Sequence, residues 1–503
     1  HHIQVILKFL LLTIYVFSFF LLKSSKPILK NATMGLIIAS NFTIQLYLFC
    51  FLCLGATLHA QVKNTKPNIL IILTDDQGYH DVSYYGTKDI RTPNIDALCN
   101  AGMRFDYFYS NSPVCSPTRA SLMSGKYPDL VGVPGLVRST PDNTWGYLQP
   151  GTILLPQQLK QAGYHTAHIG KWNLGLETPN LPNEKGFDLF HGWLEDMMDD
   201  YWTHLRHGKN FMRLNKEAIE PVGHATELFT KWSIDYIQQQ ASSKNPFFLY
   251  LSYNAPHFPV SPPVQWLKKV KQREPQLSET RAKLVAFIEH MDNNIGKVIA
   301  SLKANGQYEN TIIIFLSDNG GHLPSESNNG DLRDGKQSMY EGGLRIPAII
   351  SWPKMIKAGS VSTQVNLTMD IYPTLLTIAG IPIKHKIEGR SFLNTLLSEK
   401  NTIAGVDENK TTINEDANRV IYFTRREGGM EYGGKAYHAI RQGDWKLLQN
   451  NPYRPLELYN LKLDPQEKNN LIKQEPKIAE KLNALLLKQI QESGKVPWQK
   501  QNK

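Results

Sequence analysis

Residues 68–76 read NILIILTDD, a continuous apolar and β-branched run that stops on two carboxylates, Asp75 and Asp76. A run without polar alternation predicts a strand buried on both faces of a parallel sheet. Open α/β sheets place their sites at the carboxyl ends of strands, so the acid pair marks such an end. Adjacent carboxylates repel each other unless a cation holds them, although an acid pair on a solvated turn has the same local look. The pattern recurs at residues 311–320, TIIIFLSDNG, where a second run ends on Asp318 and Asn319 before a glycine turn. Two such ends can converge on one hard cation. Their oxygen donors suit Ca2+ best, with Mg2+ and Mn2+ as the alternatives.

Working outward, residues 154–162 have helical spacing, and residues 165–169 read as a strand that delivers Gly170-Lys171-Trp172-Asn173 to a loop. PFFLYLSY, residues 246–253, is another buried strand and ends at Asn254-Ala255-Pro256-His257. Residues 281–303 carry an amphipathic helical pattern, residues 347–351 a further strand, and a helix follows Asp370. This alternation predicts an α/β fold: a large mixed, mostly parallel sheet flanked by helices. After a polar stretch at 397–418, read as a linker or surface excursion, short alternating segments and a helical end predict a smaller C-terminal antiparallel sheet plus helix over 419–503.

The chain has 503 residues, enough for two structural units, and an ordinary globular composition with 41% hydrophobic and 20% charged residues. Its first sixty residues hold two apolar runs, four lysines and no acid, so the rest of the chain carries +6 of the formal +10. Met34 is the expected start, with 1–33 an upstream extension or artefact and 34–60 a signal peptide before a catalytic region at 61–396. The expected location is therefore exported, periplasmic or secreted, with no stable membrane association after signal cleavage; a membrane anchor is the alternative. Beyond residue 60 only Cys99 and Cys115 remain, so if Cys115 is modified no intrachain disulfide is possible, and export does not imply a disulfide scaffold. No nucleic-acid motif and no basic stripe with interleaved aromatics is present.

Residues 111–128 read NSPVCSPTRASLMSGKYP. Cys115 lies on a proline-punctuated turn before a helix-compatible segment closed by Gly125. A helix N-terminus stabilises an anionic nucleophile or a bound oxyanion, and Arg119, four residues on, shares the helical face of Cys115. A lone cysteine in such a setting is otherwise a small buried residue.

The string Cys115-Ser116-Pro117-Thr118-Arg119, with Gly125 beyond it, resembles the signature of the formylglycine-dependent, type I sulfatases of the alkaline phosphatase superfamily. Further matching strings are Thr92-Pro93-Asn94-Ile95-Asp96, Gly170-Lys171-Trp172, Ala255-Pro256-His257, Leu332-Arg333-Asp334-Gly335-Lys336 and Gly443-Asp444-Trp445-Lys446-Leu447. The resemblance implies that a formylglycine-generating enzyme converts Cys115 to 3-oxoalanine (formylglycine), whose hydrated aldehyde is the nucleophile. It implies one Ca2+ held by Asp75, Asp76, Asp318 and Asn319 with the oxygen derived from Cys115. It also implies that Arg119, Lys171, His257 and Lys336 surround the sulfate; His257 is the candidate acid for the leaving oxygen, since an imidazole can be protonated near neutral pH.

One departure stands out. Many members have a histidine where this chain has Asn173, and an amide cannot accept a proton at neutral pH. A substitute base is expected, from His80, His168 or His322. Aromatic and basic residues in 193–213, which include Trp202, and again at Arg425-Arg426 suit a sulfated carbohydrate. Asn173, His322, Arg333, Trp202 and Arg425 are the candidate substrate contacts. The competing readings are a phosphonate or phosphate monoester hydrolase of the same superfamily and a non-catalytic sulfated-glycan binding protein.

Overall fold

The computed structural model describes residues 66–140, 143–397, 419–427 and 434–500. The expected leader (1–60) lies outside them, as does nearly all of the expected linker. Among the described residues no helix is long and apolar enough to cross a membrane.

The strands of the main sheet are, in chain order, β1 (Asn68–Thr74), β2 (Met103–Phe105), β3 (His165–Lys171), β4 (Leu189–Trp193), β5 (Met212–Leu214), β6 (Glu217–Ala218), β7 (Phe247–Ser252), β8 (Thr311–Ser317), β9 (Ala348–Ser351) and β10 (Ser360–Ser362). They form one ten-stranded sheet in the order β10-β2-β9-β8-β1-β7-β3-β4-β5-β6. The central five, β8-β1-β7-β3-β4, are mutually parallel, whereas β9 and β5 flank them antiparallel. The predicted mixed, mostly parallel sheet is therefore present. Strands β1, β7 and β8 are apolar along nearly their whole length because each has a layer on both faces. One core gathers Ile69, Ile71 and Leu73 and the other Leu70 and Ile72, consistent with the period-two alternation of a strand.

Among the flanking helices are α1 (Pro93–Ala101), α2 (Cys115–Ser124), α3 (Leu155–Gln161), α4 (Ala225–Gln240), α5 (Val264–Arg273), α6 (Glu279–Ala304) and α7 (Ile371–Ile378). Helix α2 begins at Cys115 itself, one turn earlier than the sequence segment at Arg119 would place it, with Pro117 inside its first turn. All ten of its residues are buried. It ends on Gly125, whose left-handed backbone (φ 69°) closes the helix as the sequence predicts.

The C-terminal strands β11 (Val420–Arg426), β12 (Ala436–Gln442), β13 (Trp445–Gln449) and β14 (Glu457–Asn460) form an antiparallel meander, followed by helix α8 (Pro476–Ser493). The stretch AYHAIRQGDWKLL is thus a hairpin, turning at Gly443 (φ 58°). A buried charge cluster joins this sheet to the larger layer. Lys446 Nζ lies 2.9 Å from both Glu341 Oε1 and Glu467 Oε1.

Candidate active site

Register brings the polar strand ends together. Thr74 pairs with Ser317, Leu73 with Ser252, and Ser252 with Gly170, so Asp75, Asp318 and Lys171 leave β1, β8 and β3 at nearly the same level, with only β7 standing between β1 and β3. Gly170 is required for this packing. It has φ 106°, and a Cβ there would stand 1.9 Å from the Ser252 carbonyl oxygen. Three non-glycine residues beside the cluster also hold left-handed backbone: Asp76 (φ 66°), Asn173 (φ 54°) and Gln337 (φ 79°). Strain of this kind persists only where surrounding contacts fix it.

Helix α2 delivers Cys115 onto these ends. Its Sγ lies 3.2 Å from Asp75 Oδ1, and both residues are buried. The sulfur marks where the oxygen of an oxidised side chain would stand. Burial, Asp318 and Asp75 raise the thiol far above its ordinary value, so this cysteine as a thiol is a poor nucleophile.

Arg119 is wholly buried and fully engaged. Nη2 and Nε donate to Asp318 Oδ2 at 2.7 and 3.1 Å, and Nη1 donates to the Lys171 carbonyl and to Ser252 Oγ. Its guanidinium thus locks three strand ends to α2, more a strut than a loose cation. Lys171 Nζ reaches Asp75 Oδ2 at 2.5 Å, and Lys336 Nζ reaches Asp76 Oδ2 at 2.7 Å. Burial alone would raise Asp75, but Lys171, His257 and Arg119 hold it below the usual carboxylate range. Asp318 is pushed up to about 7, by burial and by repulsion from Asp75.

His257 Nδ1 is 2.6 Å from the Phe258 carbonyl oxygen, and Nε2 is 3.0 Å from Lys336 Nζ. A carbonyl only accepts, so the proton of the neutral ring sits on Nδ1 and Nε2 accepts from Lys336. Burial and Lys336 push the imidazole down to about 4. Its resting form in this geometry is therefore neutral, with Nε2 turned to Lys336.

The donor set fits a divalent cation. One ligand atom each from Asp75, Asp76, Cys115 and His257 lies within 4.8 Å of the others, all buried. Asp318 Oδ1 accepts from the Asp76 amide at 3.2 Å, and Asn319 Nδ2 donates to Asp76 Oδ1 at 2.8 Å. That leaves Asn319 Oδ1 buried without a hydrogen-bond partner, an orphaned acceptor of the kind a hard cation satisfies. Of the ligands expected from the sequence, Asp75, Asp76 and Cys115 fall within this group, and Asp318 and Asn319 adjoin it through their hydrogen bonds to Asp76. His257 joins the group by proximity, a member the sequence reading had not placed among the ligands.

The remaining candidates divide. Asn173 Nδ2 donates to the Val137 carbonyl at 2.8 Å, and the Val137 amide donates to Ser116 Oγ, so Asn173 fastens the segment whose Leu136 packs on Cys115. His322 reaches the rim through rings: it stacks on Phe258 (4.9 Å), which stacks on His257 (4.5 Å). Arg425 donates to the carbonyl of Gln337, next to Lys336. Arg333 is instead engaged by the C-terminal part, donating to Tyr459 Oη and the Glu467 carbonyl and covering the Tyr340 ring. Trp202, 49% exposed, meets His224 edge-on and makes no contact with the cluster. Its neighbour Tyr201 matters more, because its hydroxyl donates to the carbonyls of Asn254 and His257. His168 stacks on Tyr250 and points Nε2 at the Lys171 carbonyl, a core residue unsuited to the base role. His80 lies among Tyr79, Tyr85 and Gly330.

Sequence reasoning missed the polar network beside Lys171. Arg138 bridges Asp196 (2.9 Å) and Glu427 (3.2 Å), and Glu427 also pairs with Arg425. These residues come from distant segments with no motif, so only the fold joins them. Ser252 was legible: it ends an apolar strand as Asp75 and Asp318 do.

Residues 67–381 match the sulfatase family profile, and residues 333–495 match that of the N-sulphoglucosamine sulphohydrolase C-terminal region. The chain belongs to the sulfatase family, whose members are enzymes. A sulfatase from Formosa agariphila is 30% identical over 533 residues, covering 87% of this chain and 93% of that protein. The mouse N-acetylgalactosamine-6-sulfatase is 34% identical over 355 residues, 66% of each chain, so this chain spans just under two thirds of that relative. Among solved structures, Ps i-CgsB in complex with k-i-k-neocarrahexaose is similar at TM-score 0.75 and 28% identity, covering 85% of this chain and 94% of that one.

Proposed function

We propose that this chain hydrolyses sulfate esters on a sulfated carbohydrate, with formylglycine at position 115 and one Ca2+. The observation that carries the reading is the place of Cys115, at the first residue of a buried helix and 3.2 Å from a carboxylate of the strand-end cluster. Relatives support the substrate class: one is named for a sulfated amino sugar and a structural neighbour holds a neocarrahexaose. The cation would be held by Asp75, Asp76, Asp318 and Asn319 beside residue 115. A cation held there would lower the proton affinity of a neighbouring hydroxyl and polarise a sulfate oxygen, and formylglycine would supply that hydroxyl as a hydrated aldehyde.

The other residues act on the ester. Lys171 and Lys336 neutralise sulfate oxygens in a buried, water-poor cage, where fixed charge acts most strongly. Arg119 keeps the cage in register. The cluster's three carboxylates are matched by Arg119, Lys171 and Lys336, so a divalent ion leaves two positive charges for the anionic ester and the attacking oxygen. The Lys336–His257 pair delivers the proton to the departing sugar oxygen as one unit. His322, on the rim, is the substitute for the missing base at Asn173. An exported location accords with this substrate class.

Parallel assays of aryl sulfate and aryl phosphate esters test the reaction class. Preferred sulfate release supports the sulfatase, preferred phosphate release the monoester-hydrolase alternative, and glycan affinity without release of either supports a binding protein.

A further inference from the structure

The segment after β4 places a buried phenol beside the active site. Tyr201 is 1% exposed, its ring lying against His224 (5.4 Å, 21°) and edge-on to Phe287 of α6 (4.9 Å, 85°). Its carbonyl accepts from the Ala225 amide at the start of α4 (2.9 Å), so ring and backbone are both anchored away from the strand ends. The hydroxyl reaches back toward them. It shares its hydrogen between the carbonyls of Asn254 (2.8 Å) and His257 (3.0 Å), the two ends of the turn that follows β7.

That turn carries the imidazole. The His257 amide closes it on the Asn254 carbonyl at 3.0 Å, and the Asp75 amide ties it to β1 by donating to the Ala255 carbonyl at 3.1 Å. The bond between His257 Nδ1 and the Phe258 carbonyl is internal to the same segment and travels with it. It sets how the ring is rotated, not where the turn stands relative to Lys336. Lys336 arrives on a separate loop, held by its own amide on the Gly321 carbonyl (2.9 Å). Tyr201 therefore supplies a tie from outside the turn that the ring's own hydrogen bond cannot. Without the hydroxyl the Asn254 carbonyl still has the His257 amide. The His257 carbonyl accepts from no other group among the described residues, so the loss leaves an acceptor unmet on a residue only 5% exposed and favours a shifted turn.

We propose that Tyr201 is a positioning residue for proton delivery to the leaving oxygen: its hydroxyl fixes the His257 turn so that Nε2 stays 3.0 Å from Lys336 Nζ. In the reaction, sulfur gains a bond to the attacking oxygen at residue 115 and loses its bond to the leaving oxygen. The electron pair of the broken bond stays on the leaving oxygen, which takes the one proton that the Lys336–His257 pair gives up. How much that proton matters depends on the leaving group. An acidic phenol departs without it; a weakly acidic one, like a sugar hydroxyl, needs it. A displaced His257 turn should therefore slow the reaction most where the leaving group is poorest, a grading that general loosening of the fold does not produce. The inference rests on the assignment of proton delivery to the Lys336–His257 pair.

Steady-state kinetics of the full chain on para-nitrophenyl, phenyl and para-methoxyphenyl sulfate, whose phenols fall in acidity in that order, test it. Tyr201→Phe keeps the ring and its packing and removes only the hydroxyl. Its loss in kcat should be about tenfold greater on para-methoxyphenyl than on para-nitrophenyl sulfate. His257→Ala should show the same grading more strongly, and adding Tyr201→Phe to it should cause no further loss. The rise in unfolding temperature on adding Ca2+ should be the same for Tyr201→Phe as for the native chain, which shows that the variant folds with its strand-end cluster intact. An even loss across the three esters, no loss at all, or a full further loss on top of His257→Ala would overturn the proposal. Disappearance of the Ca2+ effect in Tyr201→Phe would overturn it too, because the hydroxyl would then support the whole cluster. If His257→Ala itself loses activity evenly across the series, the assignment of proton delivery fails and the proposal with it. A graded His257→Ala beside an ungraded Tyr201→Phe overturns the proposal alone.

Discussion

Two of the buried charge clusters among the described residues resemble each other in composition but not in consequence. At the strand ends, Asp75, Asp76 and Asp318 meet Arg119, Lys171 and Lys336. At the junction with the C-terminal sheet, Glu341 and Glu467 share Lys446, the Tyr109 hydroxyl donates to Glu341 Oε2 at 2.6 Å, and the Glu341 amide donates to Glu467 Oε2 at 2.7 Å. The second cluster turns inward and fastens two layers. The first includes a cysteine at a helix start, a histidine paired with lysine, an orphaned amide oxygen and left-handed backbone at Asp76. Buried charge alone is therefore a poor sign of a site. Charge at the carboxyl ends of parallel strands, with acceptors left unspent, is a better one.

Substitutions should separate the clusters, beginning with the largest effect. Cys115→Ala should reduce sulfate-ester hydrolysis by roughly a thousandfold or more in steady-state assays. Its unfolding free energy should stay within about 1 kcal/mol of the native value. Chelation with EDTA should also suppress activity, and Ca2+ should restore it. Ca2+ should raise the unfolding temperature as well, since a ligand at a hundred times its Kd stabilises by about 2.7 kcal/mol.

The junction should answer oppositely. Lys446→Met leaves two buried carboxylates without their cation, so urea unfolding should show a loss of about 3–5 kcal/mol. The activity of the molecules that remain folded should change little. Burial, outweighing Lys446 and aided by Glu341, pushes Glu467 up to about 7 from an ordinary 4.5. The folded state thus binds this proton more tightly than the unfolded chain, so the stability contributed by Glu467 is full below about pH 4.5 and is lost as pH rises to about 7. Denaturant titrations across that window should show the fall, and Glu467→Gln should flatten it. The smallest change is expected at Asn173→His, which should alter sulfate release in single-turnover experiments by no more than about threefold. A large acceleration there would show that His322 does not substitute for the absent base.

The same comparison shows what could be read from residues alone. Strands β1, β7 and β8 were legible because each is an uninterrupted apolar run, and the acid-rich cluster at their ends because carboxylates and an amide end two of those runs. The start of α2 at Cys115 was less so, since Pro113 and Pro117 obscure which residue opens the helix. Arg333 and Trp202 were misleading for one reason: a basic or aromatic side chain looks alike whether it faces a ligand or the protein, and Tyr459 and His224 engage these two. The Arg138–Asp196–Glu427 bridge could not be seen, because three segments far apart in sequence meet only after the sheet has formed. The antiparallel direction of β9 likewise depends on how its connection returns, which an apolar run does not encode.

Peptide mass spectrometry of residues 111–126, from protein purified out of its natural host, tests the central claim most directly. The account predicts that Cys115 has lost its sulfur and two hydrogens and gained one oxygen, giving an aldehyde that reacts with hydrazide reagents. An intact thiol at Cys115 in protein that still turns over sulfate esters would contradict it.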